Sequence, residues 1–235
     1  MTLPALSPSP DAPDARSARL VSVQVGAVQT LGAYDAVDPF EKRWTTGIFK
    51  QSVAGDVAVH RLGLEGDGQA DPRFHGGPDK AVLAYSADHF PEWSDRLGPE
   101  PVTGGAFGEN LTISGLIEDQ VCIGDECRIG DVVLQVTQPR QPCSKLARRW
   151  RQRDLPKWVI ASGRTGWYFR VLQEGVLRAG LPVERIARPH PDWTITAANR
   201  VMYAKRLPAE DIRPLIALPE LSQAWKDELG ERALG

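Results

Sequence analysis

The sequence is poor in the residues that staple or metallate small proteins, with three cysteines, four histidines and two methionines in 235 residues. An odd, low cysteine count argues against a disulfide framework and makes a reducing cytoplasm the expected compartment. No run approaches the ~18 uninterrupted apolar residues of a membrane-spanning helix, so no membrane association is expected. The opening stretch MTLPALSPSPDAPDARSARL has no basic segment followed by an apolar one and does not read as a secretion signal. Rich in Pro, Ala, Ser and Asp, it is expected to be a disordered tail over residues 1–19. Several catalytic patterns are also missing. There is no HExxH, no CxxC, no GxSxG, no dinucleotide fingerprint and no P-loop. Cys122 and Cys127 have CxxxxC spacing, but the further cysteines of a plant-type iron–sulfur site do not follow, and both are expected to be buried in strands. No RNA-binding aromatic signature or helix-turn-helix pattern is present, so nucleic acid is not an expected partner.

What is present is ordinary globular composition, 42% hydrophobic and 25% charged, with a net charge of -2. That small total hides an asymmetry. Between Arg140 and Arg185 lie eleven Lys/Arg against three Asp/Glu. Such a stretch is either a solvated basic helix face or the footprint of an anionic ligand.

From Leu20 to about Val136 the signals are those of strands and turns. LVSVQVGAV and DVAVHRLGL alternate apolar and polar residues, and VCIGDECRIGDVVLQVTQ offers three β-prone runs punctuated by Gly-Asp. This pattern suggests an antiparallel barrel or sandwich. Two stretches, 79–98 and 146–163, are expected to be helical, the first ended by Gly98 and the second interrupted by Pro156. After Pro189, three helix-length segments separated by prolines predict a small three-helix unit over 190–235, with Thr196 and Ser222 as N-caps.

Five stretches carry chemistry. In QPRQPCSKL (138–146), Pro139 stops a strand, Pro142 holds the chain extended, and a helix is expected from Ser144 or Lys145. Cys143 therefore falls at a strand-to-helix junction among cations, where thiolate is favoured over thiol. A thiolate there is either a nucleophile or a soft metal ligand. GLEGDGQADPRFHGGPDKAVLAY (63–85) has five glycines, His75, and acids at Asp67, Asp71 and Asp79, the texture of a ligand-approaching loop. In AFGENLTISG (106–115), Glu109 and Asn110 read as turn residues at the head of a strand. SGRTGWYFRVL (162–172) sets Ser162, Arg164 and Thr165 between glycines, as either an anion nest or a plain helix-to-strand turn. WTTGIFK (44–50) contributes Thr46 and Lys50 if the fold brings them to the cysteine.

GLEGDGQADPRFHGGPDKAV, FGENL, QPRQPCSKL and GRTGWYFRVL, in this order, resemble the MOSC domain family. Within it they are similar to the branch that includes the YiiM 6-N-hydroxylaminopurine resistance proteins. TGIFKQSVAGDVAV matches that branch's N-terminal segment and the tail its C-terminal 3-alpha domain. The resemblance implies an α+β fold: a predominantly antiparallel, β-barrel-like MOSC domain with flanking helices over residues 20–189, then a three-helix domain over 190–235. It implies a molybdenum cofactor, with Cys143 as the molybdenum ligand and Lys50, His75, Asn110, Arg140, Lys145, Arg164 and Thr165 as cofactor or substrate contacts. It also implies reduction of small N-hydroxylated compounds, including hydroxylaminopurine-type base analogues, in a detoxifying role. His75 is the candidate proton donor by chemical type.

No flavin, haem or complete iron–sulfur motif is present, so electrons are expected from a separate reductase. The C-terminal helices are then its docking surface, a homodimer contact or a lid. Two alternatives come from other classes. One is a binding module that carries sulfur or the cofactor on Cys143; pyridoxal phosphate binding attaches to the resemblance at family level only, and no fused desulfurase domain is expected here. The other is a metal-free thiol hydrolase using Cys143 and His75.

Overall fold

The structure, a computed structural model, describes residues 18–234. The tail expected over residues 1–19 therefore lies almost wholly outside the described residues. The first half of the chain forms β1 (Arg19–Val25), β2 (Gln29–Leu31), β3 (Trp44–Thr46), β4 (Gln51–Ser52), β5 (Val57–His60) and β6 (Gly63–Leu64). Then come α1 (Pro72–His75), β7 (Val82–Ser86), α2 (Phe90–Leu97) and β8 (Leu111–Ser114). The middle supplies β9 (Glu126–Ile129), β10 (Val132–Pro139), α3 (Ser144–Arg149), α4 (Leu155–Ser162) and β11 (Trp167–Gln173). The chain ends with β12 (Gly175–Leu177), β13 (Glu184–Ala187), α5 (Ile195–Tyr203), α6 (Ala209–Ile216) and α7 (Gln223–Leu234).

Eight strands form one sheet in the order β13-β9-β10-β11-β7-β8-β1-β4, antiparallel throughout except for β7 against β8. The sheet curls because its far ends meet. Leu20 N–H donates to Leu181 O at 3.0 Å, Gly180 N–H to Leu20 O at 2.7 Å, and Val183 N–H to Ala18 O at 3.0 Å, joining β1 to the segment that leads into β13. Closing an edge in this way satisfies backbone groups that an open sheet would leave exposed. A smaller sheet, β12-β5-β6, and the β2–β3 hairpin complete the strands among the described residues. The expected α+β, mostly antiparallel, barrel-like architecture is what the chain adopts.

The helix expected over 79–98 is corrected. Only its second half is helical, as α2; Val82–Ser86 is strand β7. All five residues of β7 are buried, between antiparallel β11 and parallel β8. A strand covered on both faces has no alternation to read, and its continuous apolar run mimics a buried helix. The parallel β7–β8 pairing demands a crossover, and α2 with residues 98–110 supplies it, returning Glu109 and Asn110 to the head of β8. The helix expected over 146–163 is two helices. Pro156 lies in the first turn of α4, where its fixed φ suits the start of a helix, and the break falls at Arg151.

The three C-terminal helices form as expected. Ser222 Oγ accepts from Trp225 N–H at 3.3 Å, capping α7 as predicted, while α5 is capped by Thr194 rather than Thr196. Their buried faces (Ile195, Met202, Ile212, Leu215, Trp225 and Leu229) lie in one contiguous cluster with barrel residues such as Leu20, Leu111, Leu134 and Phe169. A second cluster, built on Tyr85, Trp93, Phe107, Leu146 and Val159, packs α2, α3 and α4 together. The seven tryptophans behave as wall and core, with Trp93, Trp167 and Trp225 fully buried. Cys122 and Cys127 are buried as expected and free, but only Cys127 lies in a strand, β9; Cys122 makes an isolated bridge to Thr194.

Candidate functional site

Beside the second cluster, at Ile48 and Phe107, the chain leaves an open cleft enclosing about 600 Å³ of atom-free space, including its mouth. Four loops reach it: residues 46–50 after β3, 67–80 around α1, 107–110 before β8, and 140–145 between β10 and α3. Each loop contains one of the stretches singled out in the sequence. Lys50, His75, Asn110, Arg140, Cys143 and Lys145 all line the cleft, from positions as far apart as 50 and 145.

Cys143 sits where the sequence places it. β10 ends at Pro139, α3 begins at Ser144, and Cys143 is the extended residue between them, with φ −118° and ψ 173°. Burial opposes ionising its thiol. The His75 ring, the Arg140 charge and the Lys145 backbone N–H outweigh that and bring its pKa down to about 6. The other two cysteines go the opposite way, because burial and the nearby Asp125 charge push Cys122 up to about 11 and Cys127 up to about 12. One thiol of three is therefore a thiolate at neutral pH.

Arg140 is held rigidly and left incompletely satisfied. Its backbone N–H donates to Gly166 O at 3.0 Å and its Nη2 to Phe107 O at 3.1 Å. Its Nη1 is buried with no partner among the described residues, on a side chain that lines the cleft. A buried unpaired donor of this kind is costly unless a ligand meets it. Lys80, which the sequence reading did not single out, also lines the cleft; burial lowers its pKa, and its Nζ donates to Phe74 O at 3.0 Å. Four cations, Lys50, Lys80, Arg140 and Lys145, thus face the cleft against the single carboxylate of Asp67.

Asp67 organises one wall. It forms a buried ion pair with Lys50, the two side chains being 2% and 8% exposed. Its Oδ1 also accepts from Gly26 N–H at 2.9 Å, and its Oδ2 from Asn110 Nδ2 at 2.9 Å. Burial lowers the Lys50 pKa despite the Asp67 charge beside it. The Asn110 side chain is fully used, for its Oδ1 also accepts from Leu83 N–H at 3.1 Å and its Nδ2 reaches Gln24 O at 3.3 Å. Asn110 is therefore a clamp between β1, β7 and the 67 loop as well as a lining residue. Glu109, behind the cleft, accepts from Gly105 N–H at 2.7 Å and Phe107 N–H at 2.9 Å and so shapes the 105–108 turn. Burial raises its pKa, opposed by those donors. Gly47 is required where it stands, because a Cβ there would overlap the Gly68 carbonyl oxygen across the cleft wall.

The GRTGW stretch is the part of the expected site that the fold does not bring to the cleft. Arg164 pairs with Glu92 on α2, and its carbonyl accepts from Tyr85 Oη at 3.0 Å. Thr165 is fully buried; its Oγ1 accepts from Asn199 Nδ2 at 2.9 Å and donates to Gly166 O at 3.0 Å. Of the two options the sequence left open, the helix-to-strand turn is the one formed, with Gly163 left-handed at φ 72°. The same stretch supplies a residue that sequence reasoning missed. Tyr168 lines the cleft, and burial pushes its hydroxyl up to about 12, so it stays a neutral hydrogen-bonding group. Its only sequence signal is alternation in WYFRV, which does not tell which face of a strand meets a cavity.

The chain is similar to known proteins in sequence and in fold. The MOSC domain pattern matches residues 71–184, which include His75, Asn110, Arg140, Cys143 and Lys145, and the YiiM-like, 3-alpha helix domain pattern matches residues 193–232. The Bacillus subtilis (strain 168) protein YflK is 43% identical over 209 residues, 88% of this chain and 90% of its own length. A Gibberella moniliformis protein named Reductase is 37% identical over 74% of this chain, which corresponds to 32% of that longer protein. The crystal structure of YiiM from Geobacillus stearothermophilus superposes with a TM-score of 0.77 at 38% identity, covering 92% of this chain and 99% of that one. From its paired sequence patterns, its full-length relatives and its fold, this chain belongs to the MOSC domain family, in the YiiM-like branch that carries a C-terminal three-helix domain.

Proposed function

We propose that the chain is a molybdenum-cofactor-dependent reductase of N-hydroxylated compounds of the hydroxylaminopurine type, with the Cys143 thiolate as metal ligand. MOSC domains are associated with molybdenum cofactor binding at family level, and a relative of this chain is named a reductase. The observation that carries the proposal is the donor set around Cys143. A soft thiolate suits molybdenum, while the orphaned Nη1 of Arg140, with Lys80 and Lys145, suits the phosphate of a pterin.

In the assigned roles, Cys143 holds the metal and Arg140, Lys80 and Lys145 hold the phosphate. Asp67 keeps Lys50 oriented toward the cleft, and Asn110 fixes the wall they share. His75, beside the thiolate, holds the proton that the departing oxygen needs. The chemistry supplied by the bound cofactor is a two-electron reduction that cleaves the N–O bond, two protons and two electrons converting the hydroxylamine to amine and water. The electrons come from a separate reductase. The test is conversion of 6-N-hydroxylaminopurine to adenine by protein made in cofactor-competent cells, with reduced methyl viologen as donor. Turnover that is lost in Cys143→Ser supports the proposal; a cofactor-loaded protein that makes no adenine contradicts it.

A second reading has one observation in its favour, namely that His75 and Arg140 ionise Cys143 without any metal. A thiol hydrolase of that kind leaves the four-cation lining without a task, so it ranks below the reductase reading.

A further inference from the structure

Cys143 faces two open spaces. Besides the cleft it lines a groove enclosing about 840 Å³ of atom-free space, open to solvent. The apolar walls of this groove are Phe40 with Pro39, from the segment before β3, and Pro142 and Pro156. Its charged lining is Arg148, Arg153 and Lys157, and no carboxylate lines it among the described residues. Asp154 meets Lys157 at 3.1 Å in an exposed pair of little strength. Arg153 is exposed and enters no ion pair among the described residues.

The wall that carries Phe40 is held in place from the helical side. Arg148 Nη2 donates to the carbonyls of Phe40, at 3.1 Å, and Lys42, and its guanidinium lies 4.5 Å from the Trp44 ring centre. Arg151 reaches Asp38 at 2.5 Å and Glu41 at 3.2 Å. Arg151 is also the one non-glycine residue with positive φ among those described, at 49°. A strained backbone position persists where surrounding contacts over-determine it, and here the contacts fix an aromatic wall opposite a row of cations. Rigid apolar walls with a few convergent charges are the make-up of a small-molecule site.

We propose that this groove is the substrate subsite and that it takes the substrate as a nucleoside 5′-phosphate, the planar base against Phe40 beside Cys143 and the phosphate on Arg153 and Lys157. The proposal rests on the reductase reading, since only chemistry at Cys143 makes a groove lined by that residue the substrate's route. Two anion sites then share Cys143 as a lining residue, one for the cofactor in the cleft and one for the substrate in the groove.

Binding, rather than turnover, tests this. Isothermal titration of the full-length protein at low ionic strength, with adenosine 5′-monophosphate, adenosine and inorganic phosphate, reads the groove whether or not the cofactor is loaded. A failure here is thus separable from failure of the reductase reading. The monophosphate is expected to bind roughly tenfold or more tightly than either fragment, since both base and phosphate contribute. R153A and K157A are each expected to weaken the monophosphate by about tenfold, leave adenosine unchanged, and flatten the salt dependence. Equal binding of monophosphate and adenosine would overturn the proposal, as would equal binding of monophosphate and inorganic phosphate. So would monophosphate affinity that survives R153A and K157A but is lost in R140A, which places the phosphate in the cleft.

Discussion

At the scale of single residues, the cleft is a device for ionising one sulfur and leaving one guanidinium hungry. The predicted consequence is selective alkylation. Iodoacetamide is expected to modify Cys143 at neutral pH with a rate midpoint near 6, while Cys122 and Cys127, raised to about 11 and about 12, stay silent in the folded protein. His75→Ala is expected to move that midpoint upward; an unchanged midpoint would show that the ring does not favour the thiolate. The same shift enters stability. A thiol whose folded pKa is depressed from 9.0 to about 6 contributes stability that is fully present above about pH 9 and lost as pH falls through 6. The melting difference between wild type and Cys143→Ser should therefore grow in favour of wild type from pH 6 to pH 9. Asp67→Ala makes a second residue-scale prediction. It strands the buried Lys50 ammonium and the donors of Gly26 and Asn110, and urea unfolding should show a loss of about 3–5 kcal/mol, the range for breaking a buried pair.

At the scale of elements, much of the site was legible because its residues sit where local chemistry forces a turn. Pro139 and Pro142 fix the junction that presents Cys143, and the glycines of the 63–77 stretch mark a loop that approaches the cleft. Less legible was anything decided by which neighbour a strand finds. Val82–Ser86 reads as helix because both of its faces are buried, Val82 and Ala84 in the barrel cluster and Tyr85 in the cluster of α2, α3 and α4, and neither cover is visible in the local sequence. Arg164 and Thr165 have the chemistry of an anion nest, but the pairing of β11 with β7 and the hydrogen bond from Asn199 on α5 turn them away from the cleft. Tyr168 is visible as a residue, yet its direction depends on the same pairing. Asp67 reads as one acid among three in its loop, and only the return of Lys50 and Asn110 to the same point separates it from Asp71, a half-buried neighbour paired with Arg73.

At the scale of the whole molecule, the C-terminal helices touch the segment that presents Cys143 as well as the core. Gln141 Nε2, two residues before Cys143, donates to Glu228 Oε2 on α7 at 2.8 Å, and Ser222 Oγ donates to Gln138 Oε1 at 2.6 Å. Trp225 is fully buried in the cluster that the helices share with the barrel. Trp225→Ala should therefore cost about 3–5 kcal/mol by urea unfolding, with one cooperative transition for barrel and helices together. Two separate transitions would show that the helices fold as an independent unit.

Cys143 is proposed to anchor a molybdenum cofactor in the cleft. The most direct measurement is molybdenum and pterin content, by mass spectrometry, of wild type and Cys143→Ala purified from cells able to make the cofactor. Near-stoichiometric metal is expected in wild type, lost in the variant while its fold is retained. Folded wild-type protein from such cells without molybdenum, or a variant that keeps its full complement, would contradict it.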